Sequence, residues 1–581
     1  MSLIQIENVS FQYPGVDQPS LVDCSLKVEE GEFLAIMGGN GSGKTTLCKL
    51  FNGLIPHYYS GDISGQVTID GQTTLDKQVT DFSELVGYVY QDFENQLVQA
   101  KVIEDASYSP LNFGYEDFQE RGKQALERVG LFGKDNEYIW ELSGGQKHLL
   151  ALAGAISLNP KILIVDEPVA QLDPQHAKEF YDILRSLNKK EKITIIVIEH
   201  HTEFVAEYCD HVVLMDKGSV AWKKDVQQAL TSVEDLQARQ IFPPQVTQAP
   251  HRLSLSDHKT MPISLKEAVD YFKPHNEHQV HYQPHQLKVT GPKREKGKIA
   301  EMSGVSFSYK TINRQKKRVL DSVSLEVFKG DRVALVGNNG AGKSSLLRLL
   351  TGINQAASGQ VLLKDENIAD YSPEHFADTV TYIYQNPEEM FIEDSIKNDI
   401  EFFLKSRNKT GYKEAVEDII DSFQLKDLQD RDGRLMSGGQ QRRASLAIGV
   451  AMQPSLILLD EPTANLDIAT RKYITQFIQA LKEEVEAVII ATHDMQLVSE
   501  WANRIIVMNN GRIIHDGDRD SVFSDDQLLR TAGLIPPQIL ELSKQVQSSL
   551  SYSVEEFVQS FMAKRERKVG HGSCWQTQRF Y

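Results

Sequence analysis

The sequence predicts an α/β protein made of two similar halves, each organised around a parallel β-sheet covered on both faces. Three observations carry that reading. The glycine-rich stretch "GGNGSGKTT", Gly38 to Thr46, nearly recurs as "GNNGAGKSS", Gly337 to Ser345. The match extends well beyond it: "SLKVEEGEFLAIMGGNGSGKTTLCKLFNG" aligns with "SLEVFKGDRVALVGNNGAGKSSLLRLLTG", and "ELSGGQKHLLALAGAISLNPKILIVDEPVAQLD" with "LMSGGQQRRASLAIGVAMQPSLILLDEPTANLD". Short, wholly apolar runs ("FLAIM" and "ILIVD", then "RVALV" and "LILLD") alternate with helical segments, as strands buried on both faces do.

Each half follows the same order. Strand-like alternation comes first, then a buried strand, a glycine-rich turn and a helix. A second apolar strand follows later and ends on a carboxylate. The offset between copies falls from 299 at Lys44/Lys343 to 294 at Gln91/Gln385, so the first half holds a five-residue insertion, in "LIPHYYSGDISG". Segments after each core repeat as well: "IFPPQV" at Ile241 answers "LIPPQI" at Leu534, and "ISLKEAVDYF" at Ile263 parallels "YSVEEFVQSF" at Tyr552. So long a period marks duplicated domains, not a solenoid. The expected division is a first domain over residues 1–240, an appended element and linker over 241–298, a second domain over 299–530, and an appendage and tail over 531–581. The linker holds seven of the 20 prolines and six of the 16 histidines.

A chain of 581 residues is too long for one core, and two to four domains are expected. Hydrophobic content of 41% and charged content of 24% fit a soluble globular protein. With 62 basic against 80 acidic residues the net charge is −18, which argues against nucleic acid as the main partner. Cys24, Cys48, Cys209 and Cys574 are scattered, so neither a disulfide framework nor a zinc or iron–sulfur site is indicated. The N-terminus "MSLIQIENVSFQY" lacks a basic n-region and carries Glu7, so no signal peptide is expected. No apolar run approaches the ~20 residues that span a bilayer, which leaves a membrane role to a partner.

Gly38, Gly39, Asn40, Gly41, Ser42, Gly43, Lys44, Thr45 and Thr46 contain the pattern G-x-x-x-x-G-K-[ST]. So do Gly337, Asn338, Asn339, Gly340, Ala341, Gly342, Lys343, Ser344 and Ser345. Such glycines let backbone N–H groups curl around phosphate oxygens while the next helix aims its N-terminus at the charge. Lys44 and Lys343 are expected on the β/γ-phosphates of ATP, and Thr45 and Ser344 on Mg2+. A single copy is also what a chance turn gives; two in register are not. Asp166 and Asp460 end apolar strands, where ligands of such sheets bind, and suit the Mg2+ shell. Glu167 and Glu461 follow them, placed to polarise an attacking water.

"LSGGQ" at Leu142 and "MSGGQ" at Met436 stand shortly before those strands. They resemble the signature motif of ATP-binding-cassette (ABC) ATPases, P-loop NTPases with a RecA-like core and a helical signature subdomain. The resemblance covers roughly four-fifths of the chain. It implies that Ser143, Gly144, Gly145 and Gln146, like Ser437, Gly438, Gly439 and Gln440, open a helix onto ATP held by the opposite cassette. It further implies that Gln91 and Gln385 are Q-loop residues that sense Mg2+ and water and link to the transport partner. Asp173 and Asp467 resemble D-loop residues. His200 and His493 resemble the switch histidine that steadies the γ-phosphate; alignment with His493 favours His200 over His201. Tyr13 and Tyr309 resemble the aromatic that stacks on adenine, with strand packing as the other reading.

In that family one cassette alone makes no complete site, and two on one chain would close head-to-tail on two ATPs. Since neither half lacks its glutamate or histidine, two hydrolytic sites are expected. After the signatures the second half reads "QRR" and the first "KHL", so the first lacks the arginine usual there. "NGLIPHYYSGDISGQVTIDG", "QDFENQLV" and the repeated "PPQ" are similar to ATPases of energy-coupling-factor (ECF) importers. That implies a transmembrane coupling protein and a small substrate-binding membrane subunit as partners, at the cytoplasmic face of the cell membrane. With its two cassettes fused, this chain most resembles ATPases for hydroxymethylpyrimidine or thiamine import; cobalt, nickel, biotin and riboflavin stay open. The alternative is a translation-factor-like ATPase acting on ribosomes or nucleic acid. Against it stand the acidic chain and the absence of an arginine-rich arm; "KRERK" at Lys564 reads as a disordered tail. His275, His278, His281 and His285 have metal-compatible spacing, but Pro274 and Pro284 interrupt them, as in a solvated linker.

Overall fold

The computed structural model describes residues 2–169, 172–254, 261–273, 297–310, 316–406, 411–464, 468–480, 485–546 and 550–569. Asp467 and the four linker histidines lie outside them. By its internal contacts the chain divides into two units, Met1–Glu277 and His278–Tyr581.

In the first unit, Phe33–Gly38, Ile162–Asp166 and Thr194–Ile198 are buried at every position. They form the centre of a six-stranded sheet, in the order Ser219–Asp225, His211–Asp216, Phe33–Gly38, Thr194–Ile198, Ile162–Asp166, Val86–Val89. All pairs are parallel except the outermost, Ser219–Asp225 on His211–Asp216. Successive side chains of a strand point to opposite faces. Accordingly Phe33, Ala35 and Met37 enter one apolar cluster, and Leu34 and Ile36 the other. Fully buried, Phe33, Leu34, Ile36 and Met37 each contribute about 1.5–3 kcal/mol.

The two faces are covered differently. On one lie the helices Gly144–Ile156 and Pro174–Glu191, through Leu150, Leu152, Phe180 and Leu184. On the other lie the helix Lys44–Leu50 and a separate antiparallel sheet ordered Leu21–Glu29, Ser2–Gln12, Asp62–Ile69, Gln72–Thr73. The opening alternation foretold strands but not this second sheet. Its reason is the period: Ile4, Ile6 and Val9 are apolar and buried while Gln5, Glu7, Asn8 and Ser10 beside them meet water, so the sheet has one dry face. Helices Val102–Ala106 and Phe118–Arg128 pack with Gly144–Ile156 as a helical lobe.

The second unit repeats the plan. Its sheet runs Val380–Ile383, Leu456–Asp460, Ala487–Ala491, Arg332–Val336, Arg504–Asn509, Arg512–Gly517, again with only the last strand antiparallel. Lys316–Phe328, Lys298–Lys310, Ser358–Leu363 and Glu366–Asn367 form its antiparallel sheet.

The appended segments join these cores. Ile241 and Ile263 belong to the first unit's cluster, Leu534, Leu540 and Tyr552 to the second's. Thr202 Oγ1 donates to Phe242 O at 3.0 Å and Ser499 Oγ to Tyr552 O at 3.1 Å. The "KRERK" run falls within the helix Val554–Val569, not in a disordered tail.

Candidate functional site

Parallel pairing decides where the chemistry sits. Because Phe33–Gly38, Val86–Val89, Ile162–Asp166 and Thr194–Ile198 run one way, the turns that follow them share one edge. That edge gathers the glycine loop, Gln91, Glu167 and His200.

Gly43 caps the helix Lys44–Leu50 at φ 96°, where a Cβ would lie 2.7 Å from Ser20 O. Gly342 repeats this at φ 102°, with Leu320 Cδ2 at 2.6 Å. No other residue fits that turn. Lys44 Nζ donates to Gly38 O (2.9 Å) and Gly39 O (3.0 Å). Lys343 Nζ donates to Gly337 O (2.7 Å) and Asn338 O (3.3 Å). Both ammoniums therefore bend back over their own loop, on the side a phosphate would occupy. Asn40, Gly41 and Ser42 line a cavity of about 290 Å³ with Asp216, Lys217 and Arg239. Tyr13 OH lies 3.5 Å from Thr46 Oγ1 and Tyr309 OH 3.4 Å from Ser345 Oγ, which sets each tyrosine beside the end of its loop.

Asp166 Oδ2 accepts from Thr45 Oγ1 at 3.3 Å and from Tyr88 OH at 3.4 Å. Burial, and then the neighbouring Glu167, push its carboxyl up to about 6. Burial raises Asp460 too, against hydrogen bonds from Tyr382 and Ser344. Tyr382 OH donates to its Oδ2 at 2.6 Å, while Oδ1 is buried with no hydrogen-bond partner among the described residues. A carboxylate raised by burial, or one with an unanswered oxygen, fits a cation. Thr45 with Asp166, and Ser344 with Asp460, are the pairs that would hold Mg2+, with phosphate oxygens and water supplying the rest of its shell. Among the described residues no three His, Cys, Asp or Glu side chains group to bind a metal by themselves.

Glu167 and Glu461 adopt left-handed backbone, φ 50° and 45°. That costs roughly 1–2 kcal/mol each, and such strain tends to collect at functional positions. Their N–H groups are pinned by Ile198 O (3.0 Å) and Ala491 O (2.8 Å) of the adjacent strand. Gln91 Nε2 donates to Glu167 Oε2 at 2.7 Å. Gln385, its counterpart, is exposed and its side chain makes no such contact among the described residues. His200 Nε2 stands 3.3 Å from Glu167 Oε1, and His493 Nδ1 3.0 Å from Glu461 Oε2. In the second pair burial opposes both charges, but the partners win: Glu461 is held below the usual carboxylate range and His493 above the usual imidazole range. His201 turns away from Glu167 and meets Glu199 at 2.8 Å.

Ser143 and Ser437 are N-caps of the helices Gly144–Ile156 and Gly438–Ala451, each in a reciprocal capping box with Gln146 or Gln440. Ser143, Gly144, Ser437 and Gly438 are exposed; Gly145, Gln146, Gly439 and Gln440 are half-buried. Asp173 caps Pro174–Glu191, accepting from His176 N at 3.1 Å.

Sequence reasoning passed over two supports of this edge, the tyrosines and Glu199, and noted a third, the arginine of "QRR", only as a difference between the halves. Tyr88 and Tyr382, in "YVYQ" and "YIYQ", bond the aspartates. Arg442 donates to Tyr384 O at 2.8 Å and to Gln385 O. Glu199 lies buried directly before His200. Its signal was an acid at the end of an unbroken apolar run.

A family model described as ABC transporter matches residues 21–170 and 320–464. A protein of Methanosarcina mazei, provisionally named ABC transporter ATP-binding protein, is 33% identical over 92% of this chain and 92% of its own. One of Bacillus cereus, named likewise, is 31% identical over 98% of this chain and 99% of its own. Among solved structures, cbiO1 from Clostridium perfringens, described as part of the ABC transporter complex cbiONQ, is 30% identical. It covers 44% of this chain and 99% of its own, with a TM-score of 0.38. The two family matches take in half of the chain and fall on the two loop-and-DEP cores just described. The chain therefore belongs to the ABC transporter family, as an ATP-binding, ATP-hydrolysing protein with two P-loop cassettes.

Proposed function

We propose that this protein is the energy-coupling ATPase of an ECF-type membrane importer, and that its two cassettes close head-to-tail on two ATP molecules. One observation carries the two-site part. Each cassette seats its own lysine, aspartate, glutamate and histidine on one sheet edge, while its capped SGGQ helix start stands exposed. An exposed helix N-terminus of that kind offers N–H donors to an anion from outside the cassette. Site one then combines Lys44, Asp166, Glu167 and His200 with Ser437 to Gln440; site two combines Lys343, Asp460, Glu461 and His493 with Ser143 to Gln146.

In this reading Glu167 and Glu461 orient the attacking water, and His200 and His493 hold the γ-phosphate in line. Mg2+, when bound, supplies charge neutralisation between phosphates. ATP binds the closed arrangement more tightly than the open one, and product release reverses it. The Q-loop surfaces pass this motion to a transmembrane coupling protein accompanied by a small substrate-binding subunit, at the cytoplasmic face of the membrane. Among the described residues no helix is long and apolar enough to cross a membrane, so this chain would work through those partners. The importer assignment rests on the resemblance of "NGLIPHYYSGDISG", "QDFENQLV" and "PPQ", and the cargo class proposed is a vitamin precursor such as hydroxymethylpyrimidine or thiamine, or a micronutrient such as cobalt.

The test is affinity capture of the tagged chain from detergent-solubilised native membranes, with mass spectrometry of what comes with it. A polytopic coupling protein with a small hydrophobic subunit is expected, and that subunit's ligand would name the cargo. Recovery of ribosomes or RNA without a membrane partner would overturn the importer reading.

A further inference from the structure

We propose that Glu199 is a positioning residue of the first hydrolytic site: its buried carboxylate holds the backbone at His200 and thereby aims that imidazole at Glu167. The inference rests on the reading of His200 as the histidine of that site.

Glu199 is 1% exposed at the end of the strand Thr194–Ile198, yet it is fully answered. Its Oε1 accepts from the N–H of His200 at 2.7 Å and from the N–H of His201 at 2.8 Å. His201 Nδ1 lies 2.8 Å from the same oxygen, and Tyr181 OH donates to Oε2 at 2.6 Å. Four donors on one carboxylate leave the turn after the strand little freedom. That turn has one functional side chain to present, His200, whose Nε2 stands 3.3 Å from Glu167 Oε1. The base of the clamp is rigid in turn: Tyr181 is fully buried and stacks on Phe204 at 4.8 Å and Tyr208 at 5.0 Å.

A core carboxylate with no functional reach would need its donors but not this address. The second cassette sharpens the point, because it braces the same turn with different parts. There Thr492 stands in place of Glu199, and its Oγ1 accepts from Asp494 N at 3.0 Å. The acid has moved to the other side of the histidine: Asp494 pairs with Arg471 and accepts from Thr463 Oγ1 at 3.2 Å. Two unrelated sets of bonds fix one turn, so what they share is the histidine between them.

The test is a double-mutant cycle on ATP turnover in the full chain, with kcat and KM measured separately. Glu199→Ala is expected to lower kcat ~10-fold with KM within about 2-fold, the pattern of a lost transition-state alignment. Glu199→Gln, whose amide oxygen still accepts both N–H groups, should keep kcat within about 3-fold. In a His200→Ala background, Glu199→Ala should add nothing, since it acts through the missing imidazole. Should Glu199→Ala fail to fold, Glu199→Asp withdraws the carboxylate by one methylene and should likewise lose turnover only where His200 is present. A full loss from Glu199→Ala on top of His200→Ala, or a rise in KM in place of the fall in kcat, would overturn the inference. A loss in His200→Ala that Glu199→Ala does not share would overturn it as well. Turnover unchanged by His200→Ala would instead remove that histidine from the reaction, and the site assignment would fall together with the inference.

Discussion

The first cassette ties the start of its glutamine loop to itself, and the second ties it to the signature helix. In the first, Gln96 accepts from Tyr90 N at 2.8 Å and donates to Tyr88 O at 2.9 Å. In the second, Met390 stands at that position and Arg442 of the helix Gly438–Ala451 reaches Tyr384 O and Gln385 O instead. The residue matching Arg442 is His148, buried between Phe93 and Phe180 with ring centroids 4.4 Å from each. The groups proposed to meet nucleotide are thus duplicated almost unchanged, while the groups behind them differ. The chemistry constrains the first set tightly; the second need only hold a backbone still, and several bonding patterns do that equally well. The signature helix meets the glutamine loop in both cassettes: through Arg442 in the second, and in the first through His148 packed on Phe93 and Lys147 paired with Glu94 at 2.8 Å.

The largest effect tests what the cassettes share. Replacing Glu167 and Glu461 together by glutamine should lower ATP turnover by about 100-fold or more while ATP binding is retained, since only water positioning is removed. Both glutamates share the left-handed turn and the hydrogen bond from the adjacent strand, which predicts comparable losses from each single replacement; brisk turnover in the double variant would sink the shared mechanism. Next comes the support that differs. Arg442→Ala leaves two carbonyls without their cationic donor and should cost the second unit about 3 kcal/mol in urea unfolding, with the glutamine loop exchanging its amide hydrogens faster. His148→Ala should cost the first unit less, roughly 1–2 kcal/mol, as a lost aromatic stack in a cavity. Equal costs would erase the contrast.

Acid should separate the two units further. Burial drives the His148 imidazole down to about 3, so the folded chain keeps it neutral where the unfolded chain, near 6.5, takes up a proton. Its stabilising contribution is complete above about pH 6.5 and is lost as pH falls toward 3. Between pH 7 and 5 His148 alone removes about 2 kcal/mol from the first unit, and Asp166, raised by burial to about 6, returns about 1 kcal/mol to it over the same range. Arg442 is also lowered by burial, to about 10, and keeps its charge throughout this range. His493, raised by Glu461, works in the opposite sense: its contribution is full below the ordinary imidazole value and declines as pH rises through its raised one. Thermal scans at pH 7 and 5 should show the first unit losing stability relative to the second, and His148→Phe should abolish that relative loss. The smallest expected effects lie at the tyrosines. Tyr13→Ala and Tyr309→Ala should each weaken ATP binding by about 1 kcal/mol at their own site if they stack on adenine, and Tyr→Phe at either should change it little.

Most of the motor was legible in the sequence because its motifs are local. A glycine loop after an apolar strand, an Asp-Glu pair after another, and a serine-glycine cap before a helix each announce themselves within ten residues or so. The parallel sheet was legible from unbroken apolar runs. What escaped depends on distance along the chain. Tyr88 meets Asp166 only because Val86–Val89 pairs with Ile162–Asp166, and Tyr181 meets Glu199 only because a helix returns over the sheet. The antiparallel sheet escaped for another reason: alternation reports that a strand has one dry face, not which surface that face meets.

The tails that follow each core have a consequence for ancestry. Ile241 and Ile263 complete the first hydrophobic cluster as Leu534 and Tyr552 complete the second, with helices Leu265–Phe272 and Val554–Val569 in matching places after them. A gene duplication that copied only the nucleotide-binding core would have left one tail, at one end. Two tails, each wedged into its own half, make the repeat unit core and tail together, about half this chain in length, and the five-residue insertion beside Tyr58 and Tyr59 and the exchange between Arg442 and His148 mark where the two copies differ.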